Sequence, residues 1–97
     1  MTVFPPASVS PVTVRLWASA RAAAGEAEVT VEVPGPVSVA WLREELVRRH
    51  PNGGRLDRVL QVCSVLIGDR PLGAADPATV EVRPGGSVEF LPPFAGG

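Results

Sequence analysis

The residues whose types and spacing suit chemistry stand at the end of the chain: Leu91-Pro92-Pro93-Phe94-Ala95-Gly96-Gly97. Glycine makes up about 7 % of residues in proteins, so a terminal Gly-Gly is a roughly 0.5 % coincidence and calls for a reason. The reactive group such an end offers is the Gly97 carboxylate. A carboxylate is a poor electrophile at neutral pH, and acyl chemistry on it first requires an activated ester or anhydride. Gly96 and Gly97 have no Cβ, so their backbone can thread a narrow channel and adopt dihedral angles closed to other residues. Pro92 and Pro93 hold φ near −65° and favour an extended path away from a folded body. From Pro92 to Gly97 the chain reaches at most about 20 Å, enough to enter a neighbouring protein's site. Phe94 can anchor such a tail in an apolar pocket of that neighbour, or fold back on its own domain.

The rest of the chain offers little other chemistry. One cysteine, Cys63, excludes an internal disulfide and a cysteine-only metal site. One histidine, His50, excludes a histidine-rich site. There is no Ser/His/Asp set, no Walker-type glycine loop and no metal-ligand cluster, so no residue of the chain is expected to supply catalysis. A net charge of −1, with no basic stripe interleaved with aromatics, argues against nucleic acid. No apolar run approaches the ~18 residues of a membrane span, and the proline-bearing start does not resemble a secretory signal. The expectation is a cytoplasmic protein. All nine basic residues are arginine; lysine is absent. Genome composition explains that most simply, and the alternative is that the chain offers no side-chain amine to an activated acyl group.

The elements that must position the tail follow from periodicity. Residues 12–17 and 28–33 alternate apolar and polar residues and are expected as two antiparallel strands, joined by a partly coiled loop with a turn at Gly25. Trp17 falls on the face opposite Val12, Val14 and Leu16; it either covers a sheet edge or belongs to an exposed apolar patch that meets a partner. Ser38 stands as the N-cap of a helix over 39–50. Glu44–Arg48 and Glu45–Arg49 are i,i+4 pairs, and His50 ends the helix. Residues 55–61 suit one or two helical turns. Residues 62–67 suit a strand, 70–72 a short returning edge strand, and 88–91 the last strand. There Val88 and Phe90 share a face, and of Phe90 and Leu91 one faces the core and the other an interaction side. Val80 and Val82 are expected to plug the core from a loop. The order is β-β-α-β-(β)-β, with the first and last strands as a parallel central pair and the helix across one face of a mixed four- to five-stranded sheet. This is an α+β, ubiquitin-like β-grasp. The expected division is a leader over 1–11, the domain over 12–91 and a tail over 92–97.

These pieces together resemble the MoaD/ThiS type of ubiquitin-like sulfur carrier, most closely the small subunits of molybdopterin synthases. The resemblance spans about residues 12–97 and rests on "VRLWASARAAAG" (14–25), Val39-Ala40-Trp41-Leu42, "VLIGD" (65–69), Pro84-Gly85 and "VEFLPPFAGG" (88–97). The turn Gly85-Gly86-Ser87 lacks the acidic residue common there in the family, and the leader is extra. The resemblance implies that an E1-like adenylating enzyme uses ATP to activate Gly97, and that a sulfur donor protein then leaves a thiocarboxylate there. It implies that the large synthase subunit receives the sulfur for the molybdopterin dithiolene in a heterotetramer, and that no cofactor is held permanently. The residues implied are Gly97 and Gly96 for the chemistry and Pro92, Pro93, Phe94, Ala95, Phe90 and Trp17 for partner binding. Carriage of sulfur for thiazole or cysteine synthesis is an alternative, although thiazole carriers are usually shorter and lack Pro-Pro-Phe. A β-grasp interaction module with an inert tail is another.

Overall fold

The computed structural model describes residues 10–93. Of the tail, Phe94, Ala95, Gly96 and Gly97 lie outside the described residues, as does most of the leader.

The alternating segment forms β1 (Val12–Leu16), with Val12, Val14 and Leu16 buried. It ends one residue earlier than its alternation suggests, because Trp17 starts α1 (Ala18–Ala24). The Trp17 carbonyl accepts the amides of Ala20 and Arg21 at 2.9 and 3.2 Å. The expected partly coiled loop is therefore a two-turn helix. Ala20 and Ala23 face inward, and Gly25, at φ 79°, closes the helix in the left-handed conformation that only glycine adopts without strain. β2 (Glu28–Val31) returns antiparallel to β1, Val14 opposite Val29.

β3 (Val37–Ser38) leads into α2 (Val39–Arg49), and the Ser38 side chain accepts the Trp41 amide at 2.9 Å as the expected N-cap. Val39, Leu42 and Leu46 form its buried stripe. α3 (Arg55–Gln61) follows, burying Leu56 and Leu60, with Val62 as its C-cap. β4 (Ser64–Ile67) thus begins two residues later than its apolar run suggests, because the Val62 and Cys63 amides close the helix by donating hydrogen bonds to the Val59 and Leu60 carbonyls. β5 (Arg70–Pro71) is the short edge strand, β6 (Glu81–Val82) comes next, and β7 (Ser87–Leu91) is last.

The five-stranded sheet has the order β2-β1-β7-β4-β5. β1 and β7 are the parallel pair near its centre, Leu16 opposite Phe90, and β4 runs antiparallel to β7, Ser64 opposite Leu91. One face of this sheet is buried: Val14, Leu16, Val31, Val65, Val88 and Phe90 meet Ala20, Leu42, Leu46, Leu56 and Leu60 of the helices. This is the ubiquitin-like β-grasp expected from the sequence. Two details differ. Val82 reaches the core from β6, paired with β3 in a second, two-stranded sheet, rather than from a loop. Arg48 pairs with Glu45 at 2.6 Å instead of the expected Glu44, and Arg49 joins the same carboxylate at 3.0 Å as expected. Two arginines on one carboxylate hold the Glu45 pKa down, through hydrogen bonds from Arg48 and then Arg49.

Candidate functional site

The tail leaves from the end of β7, so β7 sets what surrounds it. The strand is held on both sides, by β1 and by β4, up to Leu91. Pro92 is half-buried and Pro93 exposed. Lacking amide donors, the two prolines cannot extend the ladder, and that ends the sheet where the tail begins.

Phe90 is fully buried, which corrects its expected place among the partner-binding residues. Alternation along β7 settles the choice between neighbours: Val88 and Phe90 point into the core, and Ser87, Glu89 and Leu91 take the opposite, partly open face. Phe90 contributes anchorage instead. With Leu16 beside it on β1 and Val65 across on β4, it fastens the tail's root to the core.

Trp17 is on the surface, 49 % exposed. Its backbone amide donates to the Phe90 carbonyl at 3.3 Å and its indole Nε1 donates to Glu89 Oε1 at 2.9 Å. Both bonds run from the end of β1 to the end of β7, so the exposed indole is fixed beside the tail's root. Trp17 was legible as an outward residue from its period-two position, whereas its carboxylate partner lies 72 residues away in sequence. Ala18, immediately after it, holds a positive φ of 49°, the one such non-glycine residue among those described. The chain turns there from strand into helix within one residue.

One exposed residue at this end escaped the sequence reading. Val62 is 62 % exposed, because it caps α3 instead of joining β4. Cys63, beside it, is half-buried, and its thiol donates to the Val59 carbonyl at 3.3 Å. Burial pushes the Cys63 pKa up to about 11, so the thiol stays protonated and a weak nucleophile near neutral pH. His50 ends α2 as expected: its Nδ1 lies 2.8 Å from the Leu46 carbonyl and its Nε2 2.9 Å from Glu26. Among the described residues no group of three or more His, Cys, Asp or Glu is placed to hold a metal. No described helix is long and apolar enough to cross a membrane.

A small α+β domain whose central strand runs into the Pro92-Pro93 start of a Pro-Pro-x-x-Gly-Gly sequence defines the class, a ubiquitin-like β-grasp protein. The ThiS family model matches residues 14–97, and the chain belongs to the ThiS family. Among solved structures it is similar to the small archaeal modifier protein SAMP1 from Haloferax volcanii, at 25 % identity and TM-score 0.72, over 91 % of this chain and 100 % of that one. It is also similar to SAMP1 from Methanosarcina acetivorans, at 20 % identity and TM-score 0.71, over 92 % and 98 %. A third likeness is to a Pyrococcus furiosus protein provisionally described as molybdopterin converting factor, subunit 1. There the identity is 22 % and the TM-score 0.70, over 88 % and 99 %. No curated protein sequence matches significantly.

Proposed function

We propose that this chain is a sulfur carrier whose reactive group is the Gly97 carboxyl, and that it serves as the small subunit of a molybdopterin synthase. The observation that supports this most is the match to the ThiS family through Gly97 itself, on a chain whose central strand runs straight into that end. In this reading a Gly97 carboxylate oxygen attacks the α-phosphorus of ATP in an E1-like partner, and pyrophosphate leaves. Sulfur at the sulfide level, brought by a donor protein, then attacks the acyl carbon, and AMP leaves. The sulfur of the resulting thiocarboxylate attacks a carbon of the pterin precursor held by the large subunit as an oxygen leaving group departs from that carbon, and water then cleaves the acyl–sulfur bond of the thioester so formed, leaving the sulfur on the pterin and restoring the Gly97 carboxylate. The domain contributes no acid or base. It presents the tail, with Pro92 and Pro93 directing it outward, Phe94 and Ala95 filling the partner's channel, and Trp17 flanking the root. Pro92-Pro93-Phe94 favours the molybdopterin branch over a thiazole carrier. A second reading, attachment of the tail to an amine of another protein, is favoured by the likeness to the Haloferax modifier.

Intact-mass measurement of the protein from its native host tests this. The expected result is a fraction heavier by the difference between sulfur and oxygen, lost when Gly97 is deleted. A Gly97 carboxyl that stays unmodified with ATP, sulfur donor and activating enzyme present overturns the reading. Mass increments equal to whole proteins would favour the second.

A further inference from the structure

We propose that Arg49 closes the open edge of the main sheet and so keeps a second copy of this chain from adding its own β2 strand there. The inference concerns the body of the domain and stands apart from the chemistry at Gly97.

In the sheet order β2-β1-β7-β4-β5 the two edges are β2 and β5. An edge strand presents unpaired amides and carbonyls, a template for another strand. β5 is a poor template, because it is two residues long and Pro71 has no amide to donate. β2 is four residues long and alternates exposed with buried positions. Its outward groups follow from the bonds of β1. The Leu16 amide donates to the Ala27 carbonyl at 2.8 Å, and the Thr13 amide donates the other way, to the Gly86 carbonyl, at 3.0 Å. Val12 and Val14 therefore bond toward β2, and their partners Val31 and Val29 bond back toward β1. The amide and carbonyl groups of Glu28 and Thr30 are left pointing off the sheet.

In the middle of that edge the Thr30 carbonyl is already taken: Arg49 Nη1 donates to it at 3.2 Å. The guanidinium is held in place from a second nitrogen, since its Nε donates to Glu45 Oε2 at 3.0 Å. The next residue, His50, has Nε2 2.9 Å from Glu26, shortly before β2, so two consecutive residues fasten the end of α2 along this edge. An incoming strand has to displace Arg49 to reach Thr30. The side chains add a second obstacle. Two copies of β2 meeting antiparallel about Thr30 set Glu28 of each opposite Glu32 of the other. Shifting the centre to Val29 sets Glu26 opposite Glu32 instead. Like charges directly opposite destabilise a strand pair, and these three glutamates are exposed. A second copy is the strand most strongly excluded, because a two-fold pair brings the same edge from both sides. Both arginines and both sets of acids then act against it.

The test is sedimentation equilibrium of the full chain over a rising concentration series, with amide hydrogen exchange on the same samples. Arg49→Met combined with Glu32→Thr removes the arginine and both like-charge pairs; it loses one charge of each sign, so the net charge stays at −1. This double variant is expected to approach about twice the monomer mass, with exchange of the Thr30 amide slowed about tenfold or more. Two controls are expected to stay monomeric, as the natural chain does. Glu32→Thr alone leaves Arg49 in place. Arg48→Met with Glu32→Thr removes an arginine from the same carboxylate without touching the edge. Glu32, Arg48 and Arg49 are all exposed, and unaltered melting at the lowest concentration separates association from misfolding. A double variant that stays monomeric overturns the proposal, as does equal dimerisation of either control. A dimer whose Thr30 amide exchanges at the monomer's rate also overturns it, because association then lies elsewhere. So does a natural chain that is itself dimeric with Thr30 protected.

Discussion

At the residue scale, the end of β1 concentrates the unusual features. Ala18 holds φ at 49° while its neighbour Trp17 is pinned to β7 by two hydrogen bonds. A left-handed conformation costs a residue with a Cβ about 1–2 kcal/mol, and glycine avoids that cost while losing more chain entropy on folding, about 0.4–1 kcal/mol. Ala18→Gly should therefore stabilise the domain by about 0.5–1 kcal/mol in denaturant titrations. A destabilised variant would mean that α1 needs the methyl group more than it suffers from the angle. Cys63 gives a pH-dependent counterpart. Burial raises its pKa from 9.0 to about 11, so the folded state retains a proton that the unfolded state releases across that interval. The contribution of this group to stability is present below pH 9 and is lost as pH rises toward 11. Alkylation of the native protein at pH 8 should accordingly run about a hundredfold slower than that of the urea-unfolded chain. Equal rates would show that the thiol is open.

At the scale of elements, β1, β2, β7 and α2 were legible because each carries a complete local signal: period-two alternation for the strands, and Ser38 with an apolar stripe for the helix. Ser38→Ala leaves the Trp41 amide without its acceptor, and a loss of about 1 kcal/mol is expected from chemical denaturation, with the helix otherwise intact. What escaped the sequence are features set by partners far away in the chain. α1 hides in an alanine-rich stretch that lacks a capping side chain, and packing of Ala20 and Ala23 against the rest of the core holds it. The β3–β6 pair is two residues long on each side and joins segments more than forty residues apart, too short for any periodicity. The exposure of Val62 follows from where α3 stops, and the burial of Phe90 rather than Leu91 follows from which side of β7 meets the helices. The candidate site divides the same way. The type of its residues is written in Pro92-Pro93 and Gly96-Gly97, while its surroundings arise only when β1 and β4 close on β7.

At the scale of the whole molecule, β1 and β7 run parallel, so the chain enters the sheet at one end and leaves it toward Gly97 at the other. The body that carries the tail is also poor in nucleophiles. An acyl adenylate at Gly97 would react readily with a lysine amine, forming an amide bond as AMP leaves. The nine basic residues are all arginine, whose guanidinium stays protonated and does not attack carbonyl carbon. The one thiol is bonded to Val59 and kept protonated. A second copy meeting an activated tail therefore presents no side chain that competes well with the sulfur donor. Arg48 and Arg83 are exposed, and Arg48→Lys with Arg83→Lys places amines on the surface without touching the core. With ATP and the activating enzyme but no sulfur donor, the double variant should form covalent dimers that resist reducing agent and carry a Gly97–lysine link in peptide mass spectra, while the natural sequence stays monomeric. If the variant remains as monomeric as the natural chain while its adenylate accumulates, the lack of lysine protects nothing.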